Sequence, residues 1–271
     1  MLTNTFNPAA NDNAPDPDRE LLKAAEGNDI VRARLWLKKG ADINARHTNN
    51  DTPLIIAARE GHEEFVKFLL TRPQGTADMS LQNNQGESAL HAALYADETK
   101  TAQLLLKHGP PPDLKDEKGA SAVFVAAARG HDYLIDALAA AKADLNAPDD
   151  RKMTPLMQAI KDLKLTTAAA LLQNKANMDA QDEQGLTALM HAVMGTSHAM
   201  PLSLIGLGAN IEIRNNDGKT ALDFALALGK KKLLDEMEAK LREIYGPYHT
   251  GTKSKISAMR PLTLRAPGDK P

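Results

Sequence analysis

Short apolar stretches alternate with polar turns along most of the chain. The clearest example runs from Asp51 to Leu70, with a Thr-Pro-Leu start, a pair of alanines, a Gly-His turn and a second apolar stretch that begins at Phe65. Threonine can cap a helix, and proline is tolerated at the first helical position. This stretch therefore predicts two short amphipathic helices joined by a tight turn.

The same pattern returns at a fixed interval. We call its opening Ser or Thr the anchor, and the anchors are Thr52, Ser88, Ser121, Thr154, Thr187 and Thr220, at intervals of 36, 33, 33, 33 and 33 residues. Counting Arg19 as a degenerate first anchor, an alanine stands five residues after each one: Ala24, Ala57, Ala93, Ala126, Ala159, Ala192 and Ala225. Such a period indicates stacked repeats that bury their apolar faces against one another.

At these positions the chain resembles the ankyrin-repeat family, whose unit carries a Thr-Pro-Leu-His-x-Ala signature. The end-of-repeat phrase also recurs, as Gly-Ala-Asp-Ile-Asn at 40–44 and Ala-Asp-Leu-Asn at 143–146. The resemblance implies an all-α ankyrin-repeat solenoid of stacked helix-turn-helix units with projecting β-hairpin loops. It says little about function, because this fold is a scaffold with interchangeable surfaces.

The composition predicts three segments. We expect a disordered N-terminal tail at 1–17, a solenoid at 18–245 that opens with a helix capped by Asp18, and a basic, proline-containing C-terminal tail at 246–271. In that C-terminal tail five Lys and Arg residues face one Asp. The expected repeats lie near 18–50, 51–86, 87–119, 120–152, 153–185, 186–218 and 219–245.

Two repeats depart from the frame. The second carries three additional residues in the stretch from Thr71 to Thr76, which accounts for the interval of 36. In the sixth, Pro201 falls where the second helix should already be running. An internal proline costs about 3 kcal/mol unless the helix begins late. We therefore predict local distortion at Pro201 and expect the sixth repeat to open more readily than the rest of the stack.

The net charge and the absence of cysteine argue against some classes of function. The formal net charge is −2 and there is no cysteine, so nucleic-acid binding by the whole chain is disfavoured and thiolate chemistry is excluded. The sequence shows no secretory signal and no apolar run of membrane-spanning length, which favours a cytoplasmic protein. We also expect the protein to be monomeric on its own.

Catalytic motifs are missing from the pattern. His62 and His131 sit in the Gly-His turn, and His91 sits in the helix signature, so a structural role is expected for all three. The other histidines lack metal-ligand spacing, and no phosphate-cradling or nucleophile motif occurs. The sequence therefore predicts no enzyme, cofactor, metal or small-molecule substrate.

The resemblance implies that a protein partner meets the hairpin tips and first-helix ends on a concave face. Four residues there are apolar or aromatic at positions expected to be exposed, namely Tyr95, Met153, Leu186 and Met194. Such residues anchor interfaces. The candidate partner-binding residues are Tyr95, Glu117, Lys118, Asp150, Arg151, Met153, Glu183, Gln184, Leu186 and Met194.

Two alternatives stay open. The basic C-terminal tail could bind nucleic acid or an anionic surface, in which case binding should collapse by about 0.3 M salt. A secreted effector that acts on a host protein would differ in its location and not in its binding chemistry. The favoured hypothesis is a non-catalytic protein-interaction scaffold or adaptor.

Overall fold

The computed structural model describes residues 15–246, and these form two compact units, unit 1 and unit 2, which divide in the sequence between Asn177 and Met178. In the described residues fourteen α-helices follow one another, two per repeat, and no strand forms. The hairpin loops contribute one isolated antiparallel bridge, between Lys115 and Ser121. The predicted all-α repeat solenoid is confirmed.

Unit 1 contains five helix pairs. Their bounds are α1 Pro17–Glu26, α2 Ile30–Lys38, α3 Pro53–Arg59, α4 Glu63–Leu70, α5 Ala89–Tyr95, α6 Thr99–Lys107, α7 Ala122–Arg129, α8 Asp132–Ala140, α9 Pro155–Lys161 and α10 Leu165–Gln173. The first helices α1, α3, α5, α7 and α9 contact one another in series, and so do the second helices α4, α6, α8 and α10.

Unit 2 contains two helix pairs. Their bounds are α11 Ala188–Met194, α12 Ala199–Gly206, α13 Ala221–Ala227 and α14 Lys231–Tyr245. Helix α11 packs on α13, and α12 packs on α14. The last helix buries Leu233, Leu234, Met237 and Leu241, whereas Ile244 near its end is 41% exposed.

The anchors and the alanines do what their spacing predicts. Each anchor hydroxyl accepts a hydrogen bond from the backbone N–H three residues later, as Thr52 does from Ile55. Every alanine five residues after an anchor is buried, with at most 2% of its surface exposed. Short capped helices with alanine at the contact allow close packing, and this fixes the register of the whole repeat.

The first helix begins earlier than predicted. Asp16, and not Asp18, is the N-cap, with its carboxylate accepting the Asp18 N–H. Pro17 takes the first helical position, where its missing N–H costs nothing. The Asp18 carboxylate instead accepts the Asp42 N–H at 2.7 Å, which ties the start of α1 to the end of the first repeat.

The predicted distortion at Pro201 is avoided. In most repeats the turn residue nine positions after the anchor is left-handed, as at Gly130, but here Thr196 occupies that position and does not adopt it. Gly195 is extended, and α12 begins one residue late relative to the other second helices. Pro201 is then its third residue, in the first turn, where no intrahelical N–H bond is needed.

The predictions for the two tails fall on residues 1–14 and 247–271, which lie outside the described residues. The alternative function of the basic tail therefore stays a prediction. None of the helices in the described part of the chain is long and apolar enough to cross a membrane.

Candidate protein-binding surface

A buried Asp or Asn organises each hairpin turn after the first. It stands five residues before the anchor, and its side chain accepts the backbone N–H groups of the residues two and four positions later. Asp149, for example, accepts the N–H groups of Arg151 and Met153 at 2.9 Å each. The residues that share this role are Asn83, Asp116, Asp149, Asp182 and Asn215.

Backbone hydrogen bonds join successive hairpin tips in unit 1. The N–H of Asn84 donates to Asn49, that of Glu117 to Gln85, and that of Asp150 to Lys118, at 2.9, 2.9 and 3.2 Å. Glycine at the turn makes this approach possible: a Cβ on Gly86 would lie 2.8 Å from the Glu117 nitrogen. We call the residues Asn84, Gln85, Glu117, Lys118, Asp150 and Arg151 the tip row.

Most of the candidate residues at the tips are exposed. In unit 1 these are Glu117, Lys118, Asp150 and Arg151, and in unit 2 they are Glu183 and Gln184. Only Arg151 of the unit 1 set is tied to its own turn, through an ion pair with Asp149 at 2.9 Å. The four charged residues of the tip row therefore present alternating charge on a backbone that is already fixed, and Asn84 and Gln85 extend the row with neutral polar side chains.

Tyr95 is half-buried rather than exposed. Its hydroxyl donates to the Asp116 carboxylate at 2.5 Å, and its backbone carbonyl accepts a hydrogen bond from Arg129. Burial, and then the hydrogen bond to Asp116, raises the pKa of Tyr95 well above its ordinary value. Tyr95 therefore braces the carboxylate that organises the next hairpin, and only part of its ring can meet a partner.

Met153 and Leu186 are not exposed anchors, and this prediction is wrong. They are 4% and 6% exposed, and their N–H groups donate to the organising carboxylates Asp149 and Asp182. Both side chains are among the buried apolar residues that form the core. Met194, at the end of α11, is 38% exposed and remains available.

The same position in the first hairpin holds a buried ion pair. Asp51 is 3% exposed, and Arg59 donates to both of its carboxylate oxygens, at 2.6 and 2.9 Å. Asn83 donates to Asp51 as well, at 2.9 Å. Burial alone would raise the pKa of Asp51, but the hydrogen bonds from Arg59, Asn83 and Asn49 outweigh it and hold the pKa below its usual value.

Sequence reasoning missed this pair. Its signal was an acidic residue just before the anchor together with an arginine seven residues after it. Arg59 also reaches Glu87 of the next hairpin at 3.3 Å, so one guanidinium stabilises two consecutive turns.

The histidines expected to be structural do hold the repeats together. His62 contacts the Ala25 carbonyl at 3.0 Å and His131 contacts the Leu94 carbonyl at 3.3 Å, each at the end of the preceding first helix. His91 bridges Ser88 and the Ala120 carbonyl, and burial lowers the pKa of its ring. In residues 15–246 no group of His, Asp and Glu is placed to hold a metal ion.

Comparison with known proteins agrees with this architecture. The sequence model described as ankyrin repeats (3 copies) matches residues 21–116, 100–182 and 156–240, which together extend over most of the chain. The chain belongs to the ankyrin-repeat family. Ankyrin repeats generally mediate protein–protein interaction, and the family is generally non-catalytic.

Several curated proteins share part of this sequence. The ankyrin repeat and KH domain-containing protein mask-1 of Caenorhabditis elegans is 36% identical over 42% of this chain and 4% of its own length. A putative ankyrin repeat protein of fowlpox virus is 33% identical over 52% of this chain and 43% of its own length. Neurogenic locus notch homolog protein 1 of Mus musculus is 30% identical over 51% of this chain and 6% of its own length. The chain thus matches less than half the length of each of these relatives.

Proposed function

We propose that this protein is a non-catalytic adaptor that binds a protein partner through the tip row of unit 1. The observation that carries the proposal is the set of backbone hydrogen bonds from Asn84 to Asn49, Glu117 to Gln85 and Asp150 to Lys118. They fix the spacing of exposed side chains before any partner arrives, so little backbone entropy is lost on binding.

The charge pattern indicates what kind of partner fits. Glu117, Lys118, Asp150 and Arg151 present acid, base, acid and base in order along the row. This alternation suits a protein surface of mixed charge, since neither a polyanion nor a polycation would find complementary charge along the whole row. In unit 2, considered by itself, Glu183, Gln184 and Met194 are exposed and stay candidates for partner contacts.

The test is comparative capture from native lysate, quantified by mass spectrometry. The tip variant combines Glu117→Lys, Lys118→Glu and Asp150→Lys, whose side chains make no hydrogen bond or ion pair with described residues. We expect at least about ten-fold lower recovery of the specific partner, because each reversed side chain now faces a charge of its own sign on the partner. The melting temperature should stay within a few degrees of the wild-type value, because exposed substitutions rarely change stability by more than about 0.5 kcal/mol.

The matched control is Asp235→Lys, an exposed residue of α14 outside the tip row. It raises the formal net charge by the same amount as the tip variant. Equal capture by the tip variant and the wild type would contradict the proposal, and so would an equal loss in Asp235→Lys. The partner identified in this way can then be titrated by calorimetry against all three proteins.

A further inference from the structure

A cleft lies in unit 1 between α2, α4 and the loop that carries the three additional residues of the second repeat. We propose that it binds an acidic peptide segment of a protein partner. The cleft has a volume of about 680 Å³ and includes Arg34, Leu37, Lys38, Phe68, Arg72 and Pro73 in its lining. We call it the Phe68 cleft. This proposal goes beyond the adaptor function above and uses none of the tip-row residues.

Two guanidinium groups share one aromatic ring in the cleft. The guanidinium carbon of Arg34 lies 5.3 Å from the centroid of the Phe68 ring, and that of Arg72 lies 5.5 Å from it. Cation–π contact holds both arginines over a half-buried phenyl ring, which reduces the freedom they would lose on binding a ligand.

Neither guanidinium has a hydrogen bond or an ion pair with any residue that the structure describes. Among the described arginines this is unusual: apart from Arg19, each of the others donates to a carboxylate or a carbonyl, as Arg59 does to Asp51. Arg34 and Arg72 therefore retain their full set of donors. A guanidinium donates best to carboxylates, in two parallel hydrogen bonds.

The lining carries positive charge and no negative charge. Lys38 is in the last turn of α2, where the helix dipole already favours a cation. Arg34 is in the middle of α2, so the dipole does not account for it. Leu37, Phe68 and Pro73 add apolar surface beside the three cations. Carboxylates next to an apolar side chain, as in a Glu-Leu-Glu sequence, match both features.

Peptide carboxylates suit the cleft better than phosphate does. Phosphate sites typically use helix N-termini and clusters of backbone N–H groups. The Phe68 cleft instead lies at the C-terminal ends of α2, which ends at Lys38, and α4, which ends at Leu70. The carbonyl groups at such ends repel a compact dianion, whereas single carboxylates on flexible side chains can reach the guanidinium groups from outside.

The cleft is a feature of this chain and not of the repeat frame. Arg72 and Pro73 belong to the stretch from Thr71 to Thr76, which is three residues longer than the frame, and the other intervals between anchors have no such insertion. Loops added to a rigid scaffold commonly carry binding function.

The test is fluorescence anisotropy with a fluorescein-labelled peptide, Gly-Glu-Glu-Leu-Glu-Glu-Leu-Gly, and the full-length protein. We expect saturable binding and at least about ten-fold weaker binding by the double variant Arg34→Gln and Arg72→Gln, because both bidentate partners are lost. The matched control is Arg19→Gln, which removes an exposed arginine that has no hydrogen bond or ion pair with the described residues and lies outside the cleft lining. This variant should bind the peptide as the wild type does. Wild-type binding by the tip variant would separate this site from the proposed adaptor surface.

Four outcomes would overturn the proposal. They are no saturable binding by the wild type, an equal loss in Arg19→Gln, unchanged binding by the double variant, and equal affinity for a peptide with Gln in place of every Glu. Tighter binding of vesicles of phosphatidylserine and phosphatidylcholine than of the peptide, lost in the same double variant, would reassign the cleft to an anionic membrane surface. Thermal melts of all variants establish that each one is folded.

Discussion

The first and fourth hairpins use the same frame with opposite chemistry. The residue before the anchor is Asp51 in the first and Met153 in the fourth, and these are 3% and 4% exposed. Asp51 is neutralised by Arg59, whereas Met153 needs no partner. The comparison teaches that the same repeat position can be buried either as part of an ion pair or as an apolar side chain, whereas the sixth hairpin leaves it exposed as Lys219.

The two hairpin turns that precede Asp51 and Met153 are closed by different side chains. In the fourth hairpin the Asp149 carboxylate accepts two backbone N–H groups and closes the turn. In the first hairpin His47 stands at the corresponding position. Asn49 accepts the Asp51 N–H there at 3.1 Å, and Asn50 adopts the left-handed conformation with φ 63°, which asparagine tolerates better than most residues.

The largest expected effect comes from replacing the buried apolar side chain before the anchor of the fourth hairpin. Met153→Ser should lower the free energy of unfolding by about 2–4 kcal/mol, because it leaves a cavity and places a hydroxyl in the core. Leu186→Ser, the equivalent change in unit 2, should cost a similar amount. Met194→Ser is the control and should change stability by less than about 0.5 kcal/mol, since this side chain is 38% exposed. Urea denaturation measures all three, and wild-type stability of Met153→Ser would show that the position is not core.

Breaking the ion pair of Asp51 and Arg59 in the first hairpin should lower the free energy of unfolding by slightly less. Arg59→Met removes the main partner of Asp51 and should lower stability by about 2–3 kcal/mol, because a buried carboxylate is left without its cation. Adding Asp51→Leu should recover most of that loss, since an apolar pair then fills the position as Met153 does. A double-mutant cycle in urea checks this, and a double variant no more stable than Arg59→Met would contradict it.

The two hairpins should also differ in their response to acid. The folded-state pKa of Asp51 is below its unfolded value, so its contribution to stability is present above the unfolded pKa and is lost as pH falls through the folded pKa. Between about pH 5 and pH 3 the wild type should therefore lose more stability than the double variant Asp51→Leu and Arg59→Met. Parallel urea midpoints over this range would show that the carboxylate contributes no pH dependence.

The sequence predicts the repeat frame well because the frame depends on single residues. Six anchors cap six helices, and the alanines five positions later leave room for neighbouring helices at every repeat. Exposure at the hairpins was harder to predict. The position before the anchor holds Asp51, Glu87, Ala120, Met153, Leu186 and Lys219, and this mixture resembles a solvated loop. Only the folded structure distinguishes the buried Met153 and Leu186 from the exposed Lys219 at this position.

The Phe68 cleft could not be predicted for a similar reason. The insertion was visible in the spacing, but the placement of Arg34 and Arg72 over one ring depends on the fold of the inserted loop. Pro201 shows the opposite case: the sequence located the irregular turn correctly, and the backbone accommodated it by beginning α12 late.

The smallest expected effect concerns that turn, where α12 begins late and neighbouring side chains supply hydrogen bonds. In the fourth repeat Gly130 is left-handed, with φ 89°, and closes the turn. In the sixth, Thr196 is β-branched and disfavours that conformation. The Met200 N–H is satisfied by the Ser197 hydroxyl at 3.3 Å, and Lys230 donates to the Val193 carbonyl at 2.8 Å. Amide hydrogen exchange should therefore be faster over 196–207 than over 121–145.

Lys230→Met sharpens this test because it removes the donor that holds the end of α11. Exchange over 196–207 should then accelerate further, while 121–145 keeps its wild-type rates and serves as the internal control. Equal protection of the two segments in the wild type would mean that the late start of α12 fully restores the turn. In that case the sixth repeat resembles the first hairpin, where a change of residue costs the fold nothing because a nearby side chain supplies the missing hydrogen bond.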